Sequence, residues 1–162
     1  MKKEHKSCPS STCEDGAILL GVVNEDGTVG YISTPITIDE DFVKEASLQG
    51  SPEHNFRFSN TCVEAGCRQW QTGKCGVIKN IMGSNAEVEL EPRLPDCSIR
   101  NSCRWFYQEG PKACSFCPYI ITNMLQEVKI LILLHINQLP VYDPIQNLQC
   151  LYKKYCKHLL HV

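Results

Sequence analysis

The chain has 162 residues, 43% of them hydrophobic and 21% charged, with a formal net charge of -2. That composition describes a chain able to bury its own core and excludes a disordered or fibrous one. Lys+Arg 16 against Asp+Glu 18 gives no global attraction to nucleic acid or to an anionic membrane surface, so neither is an expected partner.

Residues 1 to 16 are polar and carry Cys8 and Cys13, a C-x4-C pair with Pro9 inside it. Such a pair is either a metal knuckle that clips the terminus to the body or two incidental thiols. Lys2 and Lys3 are not followed by an apolar stretch, so no signal peptide is expected and the chain reads as cytoplasmic. Ala17 to Val23 is apolar and partly β-branched, Asp26-Gly27 is a turn signal, and Thr28 to Ser33 alternates. These features predict a β-hairpin. Thr34-Pro35 breaks it, and Ile36 to Ile38 is a possible third strand. Asp39 is an N-cap, with Glu40 and Asp41 in a first turn where the helix dipole favours them. Phe42, Val43 and Ala46 form the apolar stripe of that helix, and Gly50 ends it before Pro52. His54 to Phe58 is expected to be extended, with Phe56 and Phe58 on one face.

Cys62 to Cys117 holds seven of the 11 cysteines and reads as two imperfect copies of one unit. The first has Cys62, Cys67-Arg68, Trp70 and Gly73-Lys74-Cys75. The second has Cys97, Cys103-Arg104-Trp105 and Gly110-Pro111-Lys112-Ala113-Cys114, with Cys117-Pro118 just beyond. A repeated order of this kind sets architecture. Between the copies, Gly76 to Met82 is apolar and Glu87 to Leu90 alternates as a strand does. Ser102 is placed to cap a short helix running to Tyr107, with Gly110-Pro111 ending it.

Tyr119 to Ile136 is apolar and reads as a helix or a strand. Its densest run, Ile130 to Leu134, is far short of the roughly 20 residues that span a membrane. Asp143-Pro144 opens a last helix, amphipathic, with Ile145, Leu148, Tyr152, Tyr155 and Leu159 on one face and Lys153, Lys154, Lys157 and His158 on another. The basic side is either a solvated face or a partner-binding one. Cys150 and Cys156 lie there and do not share a helix face. The expected architecture is a small single α+β domain. Residues 1-61 form its hairpin and helix scaffold, 62-118 its duplicated cysteine-rich metal-binding region, and 119-162 a C-terminal helical extension.

In a reducing compartment such cysteine density points to metal or redox chemistry rather than to disulfides, and an odd count cannot pair fully within one chain. Thiolates are soft ligands that select zinc or an iron–sulfur cluster. Zinc favours compact knuckles, and Cys8/Cys13, Cys62/Cys67 and Cys114/Cys117 fit that pattern. The longer gaps from Cys67 to Cys75 and from Cys103 to Cys114 suit a larger object, such as a 4Fe-4S cubane, that gathers thiolates from a loop around it. Cys114-x-x-Cys117-Pro118 resembles the end of a ferredoxin cluster run, without that family's tight C-x2-C-x2-C triple. The expected metal ligands are Cys62, Cys67, Cys75, Cys97, Cys103, Cys114 and Cys117. Cys97 to Cys117 supplies a complete set of four. Cys62, Cys67 and Cys75 supply three, which leaves a place for Cys8, Cys13 or an outside ligand, unless all of them pool round one cluster. Arg68 and Arg104, each beside a ligand candidate, are expected to offset the charge of the centre, and Trp70 and Trp105 to shield it.

His5, His54, His135, His158 and His161 lie outside the repeated units, and no phosphate loop, catalytic triad or carboxylate pair stands out. The function expected is therefore that of a small iron–sulfur protein rather than an enzyme. It would carry electrons to a redox partner protein, or act as a redox or cluster-sensing accessory to a larger enzyme. A zinc-stapled module that binds protein or nucleic acid is the alternative, and a thiol redox enzyme using Cys114 and Cys117 is a further one.

Overall fold

The computed structural model describes residues 5–84 and 93–122. The strand expected at Glu87 to Leu90, the segment from residue 123 onward, the C-terminal helix, and Cys150 and Cys156 lie outside the described residues.

A four-stranded antiparallel sheet forms the centre, in the order β1-β4-β2-β3. The strands are β1 (Ser7–Ser11), β2 (Ile18–Val23), β3 (Val29–Thr37) and β4 (Phe56–Thr61). The β2–β3 pair is the expected hairpin. Its turn closes as Gly27 N–H donates to Asn24 C=O at 2.9 Å, with Gly27 at φ 80°, a conformation glycine adopts without steric cost. Pro35 does not end this hairpin. β3 runs through it, and the register jumps between the pairs Gly21–Tyr31 and Leu19–Ile36. The proline sits in that bulge on an edge strand, where a missing N–H leaves no ladder bond broken.

α1 (Glu40–Ser47) begins as expected, with Asp39 Oδ1 accepting from Phe42 N–H at 2.8 Å. It buries Phe42 and Ala46 against Ala17, Leu19, Ile38, Phe56 and Phe58. Phe42 meets Phe56 and Phe58 edge-on, at 5.4 and 6.2 Å between ring centroids, a geometry favoured by the ring quadrupoles.

A second core lies under the cysteine region. It joins Leu20, beside Leu19 on β2, to Ile78, Ile99, Trp105, Ala113, Phe116 and Ile120. The helices above it are α2 (Gly76–Gly83), α3 (Arg104–Glu109) and α4 (Pro111–Phe116), and a small hairpin of β5 (Trp70–Gln71) and β6 (Lys74–Cys75) leads into α2. The described part is thus an α+β fold with a core on either side of the sheet. Among the described residues no helix is long and apolar enough to cross a membrane.

Gly21 shows how tight the hairpin is. A Cβ there would lie 2.5 Å from the Gly30 carbonyl oxygen and 2.7 Å from Val29 Cγ1. In the first core, Phe58 is fully buried under α1. Phe58→Ala is expected to destabilise the chain by about 3–5 kcal/mol, measured by urea unfolding, because the sheet and α1 cannot collapse into the space it leaves.

Candidate metal centre

Of the nine cysteines among the described residues, none is in a disulfide. Eight of them fall into two sets of four, while Cys13 stands apart.

One set is Cys97, Cys103, Cys114 and Cys117. All four line a single small cavity of about 20 Å³, together with Pro9, Leu20, Tyr31 and Trp105. The local folding that gathers them is short-range. Cys97 precedes a 3-10 turn at Arg100–Ser102, and Cys103 ends that turn and begins α3. Gly110, at φ 67°, breaks α3 from α4 and reverses the chain. Cys114 then lies on α4 and Cys117 at its C-cap, a spacing that puts both on one side. The expected cap Ser102 is displaced by Cys103. Ser102 belongs to the preceding turn, and its hydroxyl meets Ser7 Oγ at 2.8 Å.

The other set is Cys8, Cys62, Cys67 and Cys75. Cys8 lies opposite Asn60 across β1 and β4, and Cys62 N–H continues that ladder to Lys6 C=O at 2.7 Å. Cys8 and Cys62 are therefore diagonal neighbours on one side of the sheet. Cys67 and Cys75 flank the small hairpin, with Trp70 N–H bonded to Cys67 C=O at 3.0 Å and Trp70 paired to Cys75. Gly76 follows with no room for a side chain, since a Cβ there would lie 2.8 Å from Gln69 C=O.

The two units share one turn and then diverge. In each, a 3-10 turn ends on the middle cysteine, with Cys67 N–H bonded to Glu64 C=O and Cys103 N–H to Arg100 C=O. After Cys67 comes the β5–β6 hairpin, whereas after Cys103 comes α3, so Trp70 is on a strand and Trp105 on a helix.

Three contacts tie the sets together. Trp105 is 1% exposed, and its indole N–H donates to Cys75 Sγ at 3.3 Å. The Gln108 side chain clamps the Cys75 backbone from both sides, accepting from its N–H at 2.8 Å and donating to its carbonyl at 3.1 Å. Arg104 pairs with Glu64 of the first unit and lies over the Trp70 ring at 5.1 Å.

The thiols feel their burial and one another. Burial pushes Cys8 up to about 11, with the charges of Cys62, Cys75 and Cys67 adding to the rise and the Ser10 N–H opposing it. Burial likewise pushes Cys103 up to about 12 and Cys117 to about 11, and raises Cys97. Arg57 and the Tyr31 hydroxyl work to lower Cys117, while Arg100 and the backbone near Ile99 work to lower Cys97. The cause throughout is the cost of a bare thiolate in a dry interior, relieved where a cation or donor faces it.

All seven cysteines expected as ligands belong to these sets, and Cys8 is the one that joins the trio. Cys13 does not. Its N–H donates to Glu53 Oε1 at 2.8 Å, and burial, then Glu53 and Glu14, push its thiol up to about 12. The arginines are placed differently from expectation. Arg68 is exposed, and Arg104 is committed to Glu64 and Trp70. The cations that face thiols are Arg57 and Arg100. Arg57 could have been noticed in the sequence, since it is a charge within the alternating run Phe56-Arg57-Phe58. Among the described residues, no group of three or more His, Cys, Asp or Glu is closed into an arrangement that could hold a metal ion. Cys97, Cys103, Cys114 and Cys117 line a cavity.

The chain matches no family model, no curated protein and no solved structure.

The raised thiols set a pH dependence for the metal-free protein. Their folded values exceed the ordinary 9.0, so between pH 9 and about 11 the unfolded chain has already released protons that the fold retains. Stability of the metal-free form is expected to be full below pH 9 and to fall as pH rises through about 11, measured by urea unfolding across that range under reducing conditions.

Proposed function

We propose that this chain is a small iron–sulfur protein with two thiolate-held centres. In this reading it carries electrons for a redox partner protein or serves a larger enzyme as a redox or cluster-sensing accessory. One observation carries the reading: Cys97, Cys103, Cys114 and Cys117, gathered by a 3-10 turn and two short helices, line one cavity. Cys8, Cys62, Cys67 and Cys75 would hold the second centre, supported by the ladder that makes Cys8 and Cys62 neighbours.

Four cysteines that line one cavity, with a long gap between Cys103 and Cys114, suit a multi-iron body that gathers thiolates from a loop around it. Tetrahedral zinc, with Zn–S of about 2.3 Å, would draw all four onto one point. The remaining residues have the roles such centres need. Trp105 excludes water and donates to the Cys75 sulfur, and Gln108 fixes the backbone of the same cysteine. Hydrogen bonds to ligand sulfurs and the dryness of the site are levers on reduction potential. Cys114 also borders an open hollow lined by Arg93, Ser115, Pro118 and Tyr119. Tyr119 is exposed there, so a partner docking at the hollow would lie beside Cys114.

Protein purified without oxygen is expected to be brown, with a broad visible band and with iron and acid-labile sulfide in similar amounts. Cys103→Ser and Cys62→Ser should each remove about half of the iron, because each opens only one centre. Colourless protein with stoichiometric zinc would replace this reading with the zinc-stapled module. Protein with neither metal would end both.

A further inference from the structure

Arg57 has an environment that its fold alone does not explain. It stands on β4, 2% exposed, in the interior between the two thiol sets. One terminal nitrogen, Nη1, donates to Pro9 C=O at 3.3 Å and reaches Thr122 Oγ1 at 3.4 Å. The other, Nη2, is buried without a hydrogen-bond partner. No carboxylate among the described residues pairs with it. Pro9 follows Cys8 in β1 and also lines the cavity of Cys97, Cys103, Cys114 and Cys117. The guanidinium therefore rests on the residue that separates the two sets. A cation buried with no anion is costly, so an arginine at such a place implies a negative partner.

We propose that Arg57 is the shared counter-cation of both thiolate centres and holds both of their reduction potentials up. The inference rests on the iron–sulfur reading above. Each centre takes up one electron from a one-electron donor, no bond is made or broken, and its net charge becomes more negative by one. A fixed positive charge beside both centres favours that step at each. The residue's surroundings agree: burial works against its charge, while Cys117, Tyr31 and Cys8 work to keep it. Arg57 acts through the ligands and is a positioning residue for their charge.

The test compares wild type, Arg57→Lys and Arg57→Met as full chains purified without oxygen. Readouts are iron content, a mediated redox titration, and urea unfolding before and after iron removal. Arg57→Met is expected to make reduction of both centres at least tenfold less favourable, which is 59 mV for one electron. Arg57→Lys should restore most of that, because charge rather than shape is what counts. Metal-free Arg57→Met should be at least as stable as metal-free wild type, since it loses a cation that has no partner there. If iron is retained in all three but only one potential moves, or neither does, the shared role is wrong and the iron–sulfur reading stands. If metal-free Arg57→Met fails to fold, Arg57 is a structural residue and the inference is overturned. Wild type without iron removes the iron–sulfur reading, and this inference with it.

Discussion

Ser7 is held from two sides. On one it pairs with Thr61 of β4, and on the other it forms a parallel bridge to Cys103, while its hydroxyl meets that of Ser102. β1 is thus wedged between the sheet and the second cysteine unit, and both thiol sets depend on that wedge. Its pairing with β4 brings Cys8 to Cys62, and the next residue along, Pro9, walls the cavity of the other set. An edge strand would ordinarily expose a row of unpaired backbone groups. Here that edge is partly covered by the cysteine region, so one short segment both closes the sheet and touches both sets of thiols.

Electrostatics then decides what the interior can hold. Burial makes an ionised thiol costly at Cys8, Cys97, Cys103 and Cys117. The remedies are local and few: Arg57 and Tyr31 for Cys117, and the backbone near Ile99 with Arg100 for Cys97. Metal binding would change the sign of the problem, because a bound metal turns each thiol into a thiolate and the buried cation from a cost into a partner. Arg104 spends its charge otherwise. Joined to Glu64 and stacked on Trp70, it fastens one cysteine unit to the other and preserves their spacing.

Local signals were legible in the sequence. The Asp-Gly turn, the Asp39 cap and the shared face of Phe56 and Phe58 all follow from rules that act within a few residues, and the structure has them. Pro35 was harder, because a proline ends an inner strand but is tolerated in an edge bulge, and edge position is set by the whole sheet. The repeat was legible as far as the turn that ends on Cys67 and Cys103. Beyond it Gly73, at φ 81°, turns a hairpin, whereas Arg104 to Glu109 continues as helix. Adjacency to a cysteine misdirected attention to Arg68 and Arg104. Charge compensation acts through space, and Arg57 reaches the thiols only because β4 lies between β1 and β2. Cys8 and Cys13 looked equivalent in sequence. The pairing of β1 with β4 separates them, leaving Cys13 beside Glu53.

The central claim is that eight of the described cysteines, all but Cys13, hold two separate clusters, four thiolates to each. Native mass spectrometry of the intact chain, purified and sprayed without oxygen, weighs it directly. Two mass increments, each that of one iron–sulfide cluster, with the second lost first in some molecules, are the result this account predicts. A single cluster mass would mean that the sulfurs pool around one centre. Zinc increments, or the bare mass of the polypeptide, would contradict it.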